Sequence, residues 1–284
     1  MSKHIITDNS GGKWEVDNVL DTICKEKKHK LKLAEKFFHP VEKLKEFIYE
    51  FEKKKLFYNF KEKITNNIID NKFSIIAEIK QRSPSAGMIV NPSKYNPVDI
   101  AKIYENNKAT CLSVLTEETF FNGYEIQIAN IKNKKIKLPI LCKDFFLTNR
   151  QVYSARSNGA DAILIILAAL SDRGADFLYE LALKLNMSVI VEVHTVDEAK
   201  KALRFKEALI GINNRNLKTL ETNINTTYEI NNALVNHAGP LISESGIKTK
   251  EELLEINKKT KIKTFLIGES LLKDLEKKSI FSVL

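Results

Sequence analysis

Charged residues stand at the ends of short apolar runs in this sequence. Glu78 and Lys80 close FSIIAEIK, Lys143 closes LPILCK, Glu192 sits near the end of SVIVEV, Asn213 closes ALIGIN, and Glu244 with Ser245 follows PLIS. A core has no use for charge at one end of its strands only, whereas the C-terminal ends of parallel strands are where barrel enzymes assemble their sites. Glu78 and Lys80 are two residues apart, so strand alternation puts both on one face. Taken alone, that pair could be two core residues that only neutralise each other; Lys143 and Glu192 make this reading poor. Two lysines and two glutamates converging in a pocket suit general acid and base work, because burial and like charges push their pKa values apart. A Schiff-base lysine is the competing use of Lys143. His194 is expected to turn away from the face of Glu192 and to be structural. Cys142 should face the surrounding helices as a small apolar filler.

A second chemistry is signalled by SPSAG (83–87), SESGI (243–247) and IGES (267–270). Glycines let backbone N–H groups approach an oxyanion, and a helix starting just after Gly268 would aim its N-terminus at one. Each motif alone is a common turn sequence. At the ends of three strands together, they point to phosphate.

These residues need elements to hold them. Lys13 to about Asn71 is helical in pattern, with amphipathic stretches broken at His39-Pro40 and no strand-like segment. After Lys72 short β-rich runs alternate with amphipathic helices. The strands expected are 73–80, 110–116, 138–143, 160–167, 188–193, 208–213, 240–244 and 264–268. Eight such units are the count of a (β/α)8 TIM barrel, here with an N-terminal helical extension: residues 1–71 and 72–284. At 284 residues and 43% hydrophobic, the chain is long enough for one such core. The net charge of +9 is spread over lysines interleaved with Asp, Glu and Asn, which reads as a solvated basic surface that steers anions rather than a nucleic-acid face. Three cysteines without C-x-x-C spacing suggest neither disulfides nor zinc. No apolar run is long enough to span a bilayer, and a cytoplasmic protein without membrane or nucleic-acid partners is expected.

With these residues assembled, the chain resembles the indole-3-glycerol phosphate synthases of tryptophan biosynthesis over almost its whole length. The landmarks are VLDTICKEK in the first helix, AEIKQRSPSAG, SVLTEETFFNG (113–123), LPILCKDFF (138–146), GADAILII (159–166), VIVEVHT (189–195), IGINNRNLKTLETN (210–223), LISESGI (241–247) and LIGESLL (266–272). The extra N-terminal helices also look like that family's extension, which caps the barrel mouth.

The resemblance implies a carboxy-lyase acting on a phosphorylated small molecule, without metal or organic cofactor. 1-(2-Carboxyphenylamino)-1-deoxyribulose 5-phosphate would lose carbon dioxide and water to give indole-3-glycerol phosphate. Carried onto matching positions, Lys143 looks like the acid that protonates the ribulose carbonyl, and Lys80 would hold the substrate carboxylate and serve the later dehydration. Glu192 would stabilise positive charge at the anilino nitrogen, and Glu78 would act in dehydration. Asn213, Arg215, Glu244 and Ser245 look like further contacts on the sugar and the catalytic groups. Ser83, Gly246, Gly268, Glu269 and Ser270 match the phosphate cradle, and Phe121, Phe145 and Leu164 the apolar wall against the anthranilate ring. Three positions depart from the common pattern: Asn122, Leu272 and Glu269. The side chain of Glu269 should point away from a phosphate. A barrel that binds a sugar phosphate without catalysis is the alternative; phosphoribosylanthranilate isomerase would fit the SESGI-type loop but not the helical extension. Association with other tryptophan-pathway enzymes is left open by the chain.

Overall fold

Runs of Ile, Val and Leu bounded by Gly, Pro and Asn form strands, and amphipathic stretches opened by capping residues form helices between them. The computed structural model describes residues 3–273, 275 and 280–284; residues 1, 2, 274 and 276–279 of the two expected segments lie outside the described residues. In chain order the elements are β1 (His4–Thr7), β2 (Lys13–Val16), α1 (Val19–Ala34), α2 (Val41–Lys53), α3 (Phe60–Ile69), β3 (Ser74–Ile79), β4 (Arg82–Ser83), β5 (Gly87–Met88), α4 (Pro97–Asn106), β6 (Cys111–Leu115), α5 (Glu118–Phe121), α6 (Ile126–Asn133), β7 (Ile140–Lys143), α7 (Asn149–Ser157), β8 (Ala162–Ile166), α8 (Asp172–Lys184), β9 (Ser188–Val193), α9 (Val196–Ala202), β10 (Leu209–Asn213), α10 (Asn225–Asn231), β11 (Leu241–Glu244), α11 (Lys250–Thr260), β12 (Thr264–Ile267) and α12 (Glu269–Lys273). Helix starts carry the expected signals: Asn96 caps α4 ahead of Pro97, Ser171 caps α8, and Thr148 and Thr249 form capping boxes with Gln151 and Glu252.

Strands β3 and β6 to β12 pair in parallel and close into a barrel, with β12 returning to β3. All eight strands expected from the sequence are present, so the (β/α)8 fold stands. Alternation divides their side chains between two cores. Ile75, Ala77, Val114, Cys142, Ile163, Val191 and Ile210 face the helices; Ile76, Cys111, Leu141, Leu164, Ile190, Leu209, Ile242 and Leu266 fill the barrel. Cys142 is in the helix-facing layer as expected, and its neighbour Lys143 points inward.

The N-terminal segment corrects two expectations. Lys13–Val16 is a strand, paired antiparallel with His4–Thr7, so the segment is not helical from Lys13 on. The alternation in KWEV is only four residues long and is easily absorbed into the helical pattern that follows; Ile6 and Val16 bury one face of the hairpin. Nor does the whole segment cap the mouth. Val19, Leu20 and Ile23 of α1 lie over the C-terminal ends of the strands, but α3 closes the opposite end. There Phe60 and Ile64 plug the interior, Asn67 bonds Ser74 and Thr110, and the Lys61 N–H donates to Ser188, all at strand starts. The α2–α3 connection is anchored there as well: Lys132 Nζ, fully buried, is 2.5 Å from Asp161 and 2.8 Å from the Leu56 carbonyl, and Asp161 accepts the Tyr58 N–H.

Candidate active site

Four odd-numbered barrel strands, β3, β7, β9 and β11, each carry an inward-turned charged residue at the last or last-but-one position: Glu78, Lys143, Glu192 and Glu244. Lys143 Nζ is 2.8 Å from Glu244 Oε2 and 3.3 Å from Glu192 Oε2. One residue past β3, Lys80 Nζ is 2.5 Å from Glu78 Oε1. Two glycines make room for this ring. A Cβ at Gly268 would lie 2.4 Å from Glu78 Oε1, and one at Gly211 would lie 2.1 Å from Glu244 Oε1.

The electrostatics follow from three carboxylates sharing one buried space with two lysines. Burial alone would lower Lys143, but Glu244, Glu192 and Glu78 outweigh it and raise the ammonium above its ordinary range. Burial opposes ionisation of Glu192 and Glu78 as well. Lys143 and His194 prevail at Glu192, and Lys80 with Lys143 at Glu78, so both stay below the usual carboxylate range. Glu244 goes the other way: burial, reinforced by the charges of Glu192 and Glu78, brings it to about 7 despite Lys143. Its Oε1 has no hydrogen-bond partner. The site therefore holds a protonated lysine, two carboxylates and a third carboxyl that changes state near neutrality, which is an acid-base set. A Schiff base needs a free amine, whereas the carboxyl groups around Lys143 favour its ammonium form.

Above the ring opens a cavity of about 710 Å³, in the size range of small-molecule sites. Of the residues picked from the sequence, Glu78, Lys80, Lys143, Glu192, Asn213, Ser245, Phe121, Phe145, Leu164, Arg215, Gly246, Gly268, Glu269 and Ser270 all line it. Ser83 and Glu244 do not. The Ser83 hydroxyl accepts the Ala86 N–H at 3.1 Å inside the β4–β5 turn, leaving Pro84 on the wall; Glu244 lies beneath Lys143. Phe121 and Phe145 face each other with ring centres 6.4 Å apart, beside Leu164, as an apolar wall.

Across from it, the loops after β3, β10, β11 and β12 bring backbone and cations together. Ser245 and Gly246 both have positive φ, so the chain turns sharply at the end of β11. The Ser270 hydroxyl donates to the Ile247 carbonyl, joining the β11 and β12 loops. Arg215 donates to Ser85 at 3.0 Å, tying the β10 loop to the β3 loop, while Arg82 donates to Thr7 and ties that loop to the N-terminal hairpin. Glu269 bonds Lys273 at 2.6 Å along its own helix, and both residues line the cavity. Asn122, one of the departures, ends α5 with φ 55°, a conformation that Gly and Asn share; the next residue is Gly123, where a Cβ would meet the Leu115 carbonyl.

Several wall residues were not singled out from the sequence. Lys248 and Lys273 add cations beside the loops after β11 and β12, Leu217 and Leu220 line the cavity, and Val19, Leu20 and Ile23 close it from α1. Only the i, i+1, i+4 spacing of the α1 residues could have marked them as a buried face. His194 was misplaced: its Nε2 lies 3.1 Å from Glu192 Oε1. The two residues are two apart, so the alternation that pairs Glu78 with Lys80 puts His194 on the Glu192 side, and the expectation had the parity wrong. Among the described residues, no group of three or more His, Cys, Asp or Glu is arranged to hold a metal, and no helix is long and apolar enough to cross a membrane.

Comparison with known proteins accords with this geometry. The fold is similar to the crystal structure of the tryptophan synthase alpha chain from Legionella pneumophila subsp. pneumophila, with TM-score 0.56 at 13% identity over 79% of this chain and 92% of that one; at that identity the likeness concerns the fold alone. Indole-3-glycerol phosphate synthase from Prochlorococcus marinus (strain MIT 9215) is 43% identical over 225 residues, 77% of this chain and 75% of the relative. The enzyme of the same name from Legionella pneumophila (strain Lens) is 44% identical over 200 residues, 70% of this chain and 76% of the relative. The family model for indole-3-glycerol phosphate synthase matches residues 20–283, and the chain belongs to that family.

Proposed function

We propose that this chain is the carboxy-lyase that closes the indole ring: 1-(2-carboxyphenylamino)-1-deoxyribulose 5-phosphate loses carbon dioxide and water to give indole-3-glycerol phosphate. The observation that carries the reading is a lysine, Lys143, held by buried carboxylates at the floor of a cavity with an aromatic wall on one side and sharply turned loops with cations on the other. The aromatic ring of the substrate lies against Phe121, Phe145 and Leu164. Its phosphate lies among Gly246, Gly268 and Ser270, with Arg215 and Lys248 nearby. This stretches the substrate across the mouth and leaves its carbonyl over Lys143.

Lys143 then gives its proton to the ribulose carbonyl oxygen as the ring carbon attacks. The new cation at the anilino nitrogen is stabilised by Glu192 in a pocket where charge is poorly screened. Lys80 holds the substrate carboxylate until it leaves as carbon dioxide. Glu78, bonded to Lys80, takes part in the proton transfers of the final dehydration. Asn213, Ser245 and Glu244 support the sugar and the catalytic groups, Glu244 by holding Lys143 from below. The reaction needs no nucleic-acid or membrane partner, and we place it in the cytosol, where three buried free cysteines are at home.

The test is direct. Purified protein mixed with the substrate should release one carbon dioxide per fluorescent indole-3-glycerol phosphate formed. A folded protein that binds the substrate but yields no product would favour the binding-only barrel instead.

A further inference from the structure

At the corner between β9 and α9 the imidazole of His194 stands between two carboxylates. Nε2 is 3.1 Å from Glu192 Oε1 and Nδ1 is 3.2 Å from Glu198 Oε2. The other oxygen of Glu192, Oε2, faces Lys143 Nζ. Glu198 is itself fixed by the first turn of α9: its Oε2 accepts the His194 backbone N–H at 2.7 Å, and its own N–H is capped by the Thr195 hydroxyl. The His194 side chain is only 10% exposed and does not line the cavity. It therefore touches a site residue without touching the space a substrate would fill.

We infer that His194 is a positioning residue: an imidazolium clamped between Glu198 and Glu192 that keeps the Glu192 carboxylate ionised and aimed at Lys143. The inference rests on the role given to Glu192 above. A neutral imidazole has one N–H and one lone pair, so it would turn a lone pair toward one of the two carboxylates; only the doubly protonated ring suits both. Glu192 in turn is almost fully buried, and a buried carboxylate is costly to ionise unless cations face it. Lys143 compensates one of its oxygens and His194 the other. The Nε2 approach to Glu192 is off the N–H axis, so this side of the clamp is chiefly ionic, while Glu198 orients the ring.

The groups facing His194 are Glu192 from β9 and Glu198 from α9, with Lys143 of β7 behind Glu192. Burial alone would lower the imidazole, but the two carboxylates outweigh it and bring the ring to about 9. The clamp is thus intact through neutrality and is lost as pH rises through that value.

The experiment measures single-turnover ring closure against pH for wild type, His194→Gln and Glu198→Gln, together with ¹⁵N NMR of the histidine rings. Wild type should show a one-proton loss of rate near pH 9. His194→Gln should lower the plateau roughly ten- to hundred-fold with little change in KM, and should lack that limb. Glu198→Gln should move the limb down by about one pH unit or more, because one anionic partner is gone. The ring signals that vanish in His194→Gln should be those of a doubly protonated imidazole at pH 7.5. A folded His194→Gln enzyme with wild-type rate and limb would overturn the inference, as would a singly protonated ring. If His194→Gln fails to fold, Glu198→Gln decides: an unmoved limb and a neutral ring overturn it. If wild type makes no product at all, the functional reading fails, and the ring's protonation state still decides whether the clamp exists.

Discussion

Glu244 Oε2 lies 2.8 Å from Lys143 Nζ, yet Glu244 does not reach the cavity; it is held under the lysine, against the space left by Gly211. The lysine is thus pinned from below and aimed upward, and its proton is kept in place by a carboxyl that a substrate would not displace. A side chain fixed in this way loses little freedom when the substrate arrives, which is the physical basis of preorganised acid catalysis.

The glycine at the end of β12 should be as necessary as the charged groups. In Gly268→Ala the new methyl carbon would stand 2.4 Å from Glu78 Oε1, so the carboxylate must leave Lys80. A displacement of about 1 Å in a catalytic group costs roughly 100-fold in rate. We expect Gly268→Ala to fold and to lose kcat by about that factor; unchanged kcat would show that the Glu78–Lys80 contact is dispensable.

Helix α1 is tied to the catalytic loop through Lys27, whose Nζ is 2.8 Å from Asp144, the residue between Lys143 and Phe145. Lys27→Met leaves Asp144, 4% exposed, without its cation. Removing one partner of a buried pair typically costs about 3 kcal/mol or more, so thermal unfolding should fall by roughly 6 °C. Turnover should fall too, since α1 walls the mouth. Adding Asp144→Asn should recover part of the stability, because the orphan charge disappears; a strictly additive double variant would contradict the pairing.

Glu125 should make stability depend on pH. Burial pushes its carboxyl up, with Asp144 adding to the effect and a hydrogen bond from Ser154 opposing it, to about 7. A carboxyl raised on folding contributes stability that is fully present below its unfolded value near 4.5 and is lost as pH rises through about 7. Glu125→Gln, always neutral, should match wild type near pH 4.5 and exceed it at pH 8 by on the order of 1 kcal/mol, given that the group is partly exposed. Denaturant unfolding at the two pH values checks this; equal differences at both would refute the assignment.

Much of the fold was legible because each barrel strand is a short aliphatic run with its polar residue at the same end. SVIVEV and FSIIAEIK read correctly for that reason. The charged ring followed from alternation within those strands, and the same parity, two residues on from Glu192, accounts for His194 meeting it. The hairpin β1–β2 escaped notice because four-residue strands carry too little periodicity beside a long amphipathic helix. Strand ends could place Glu244 near Lys143, but not above or beneath it. That depends on the absent side chain of Gly211, on a neighbouring strand. The closing of the barrel floor by Phe60 and Ile64 of α3 was equally out of reach, since the pattern of a helix shows that it buries a face but not which end of the barrel receives it.

The central claim is that Lys143 supplies the proton for ring closure. The most direct measurement compares wild type with Lys143→Ala in single turnover, with product binding followed by calorimetry. General acid catalysis is worth about 10² to 10⁴ in rate, so the variant should lose product formation by that much or more, while still binding indole-3-glycerol phosphate through the loops after β11 and β12. A folded Lys143→Ala enzyme that closes the ring at the wild-type rate would contradict the account.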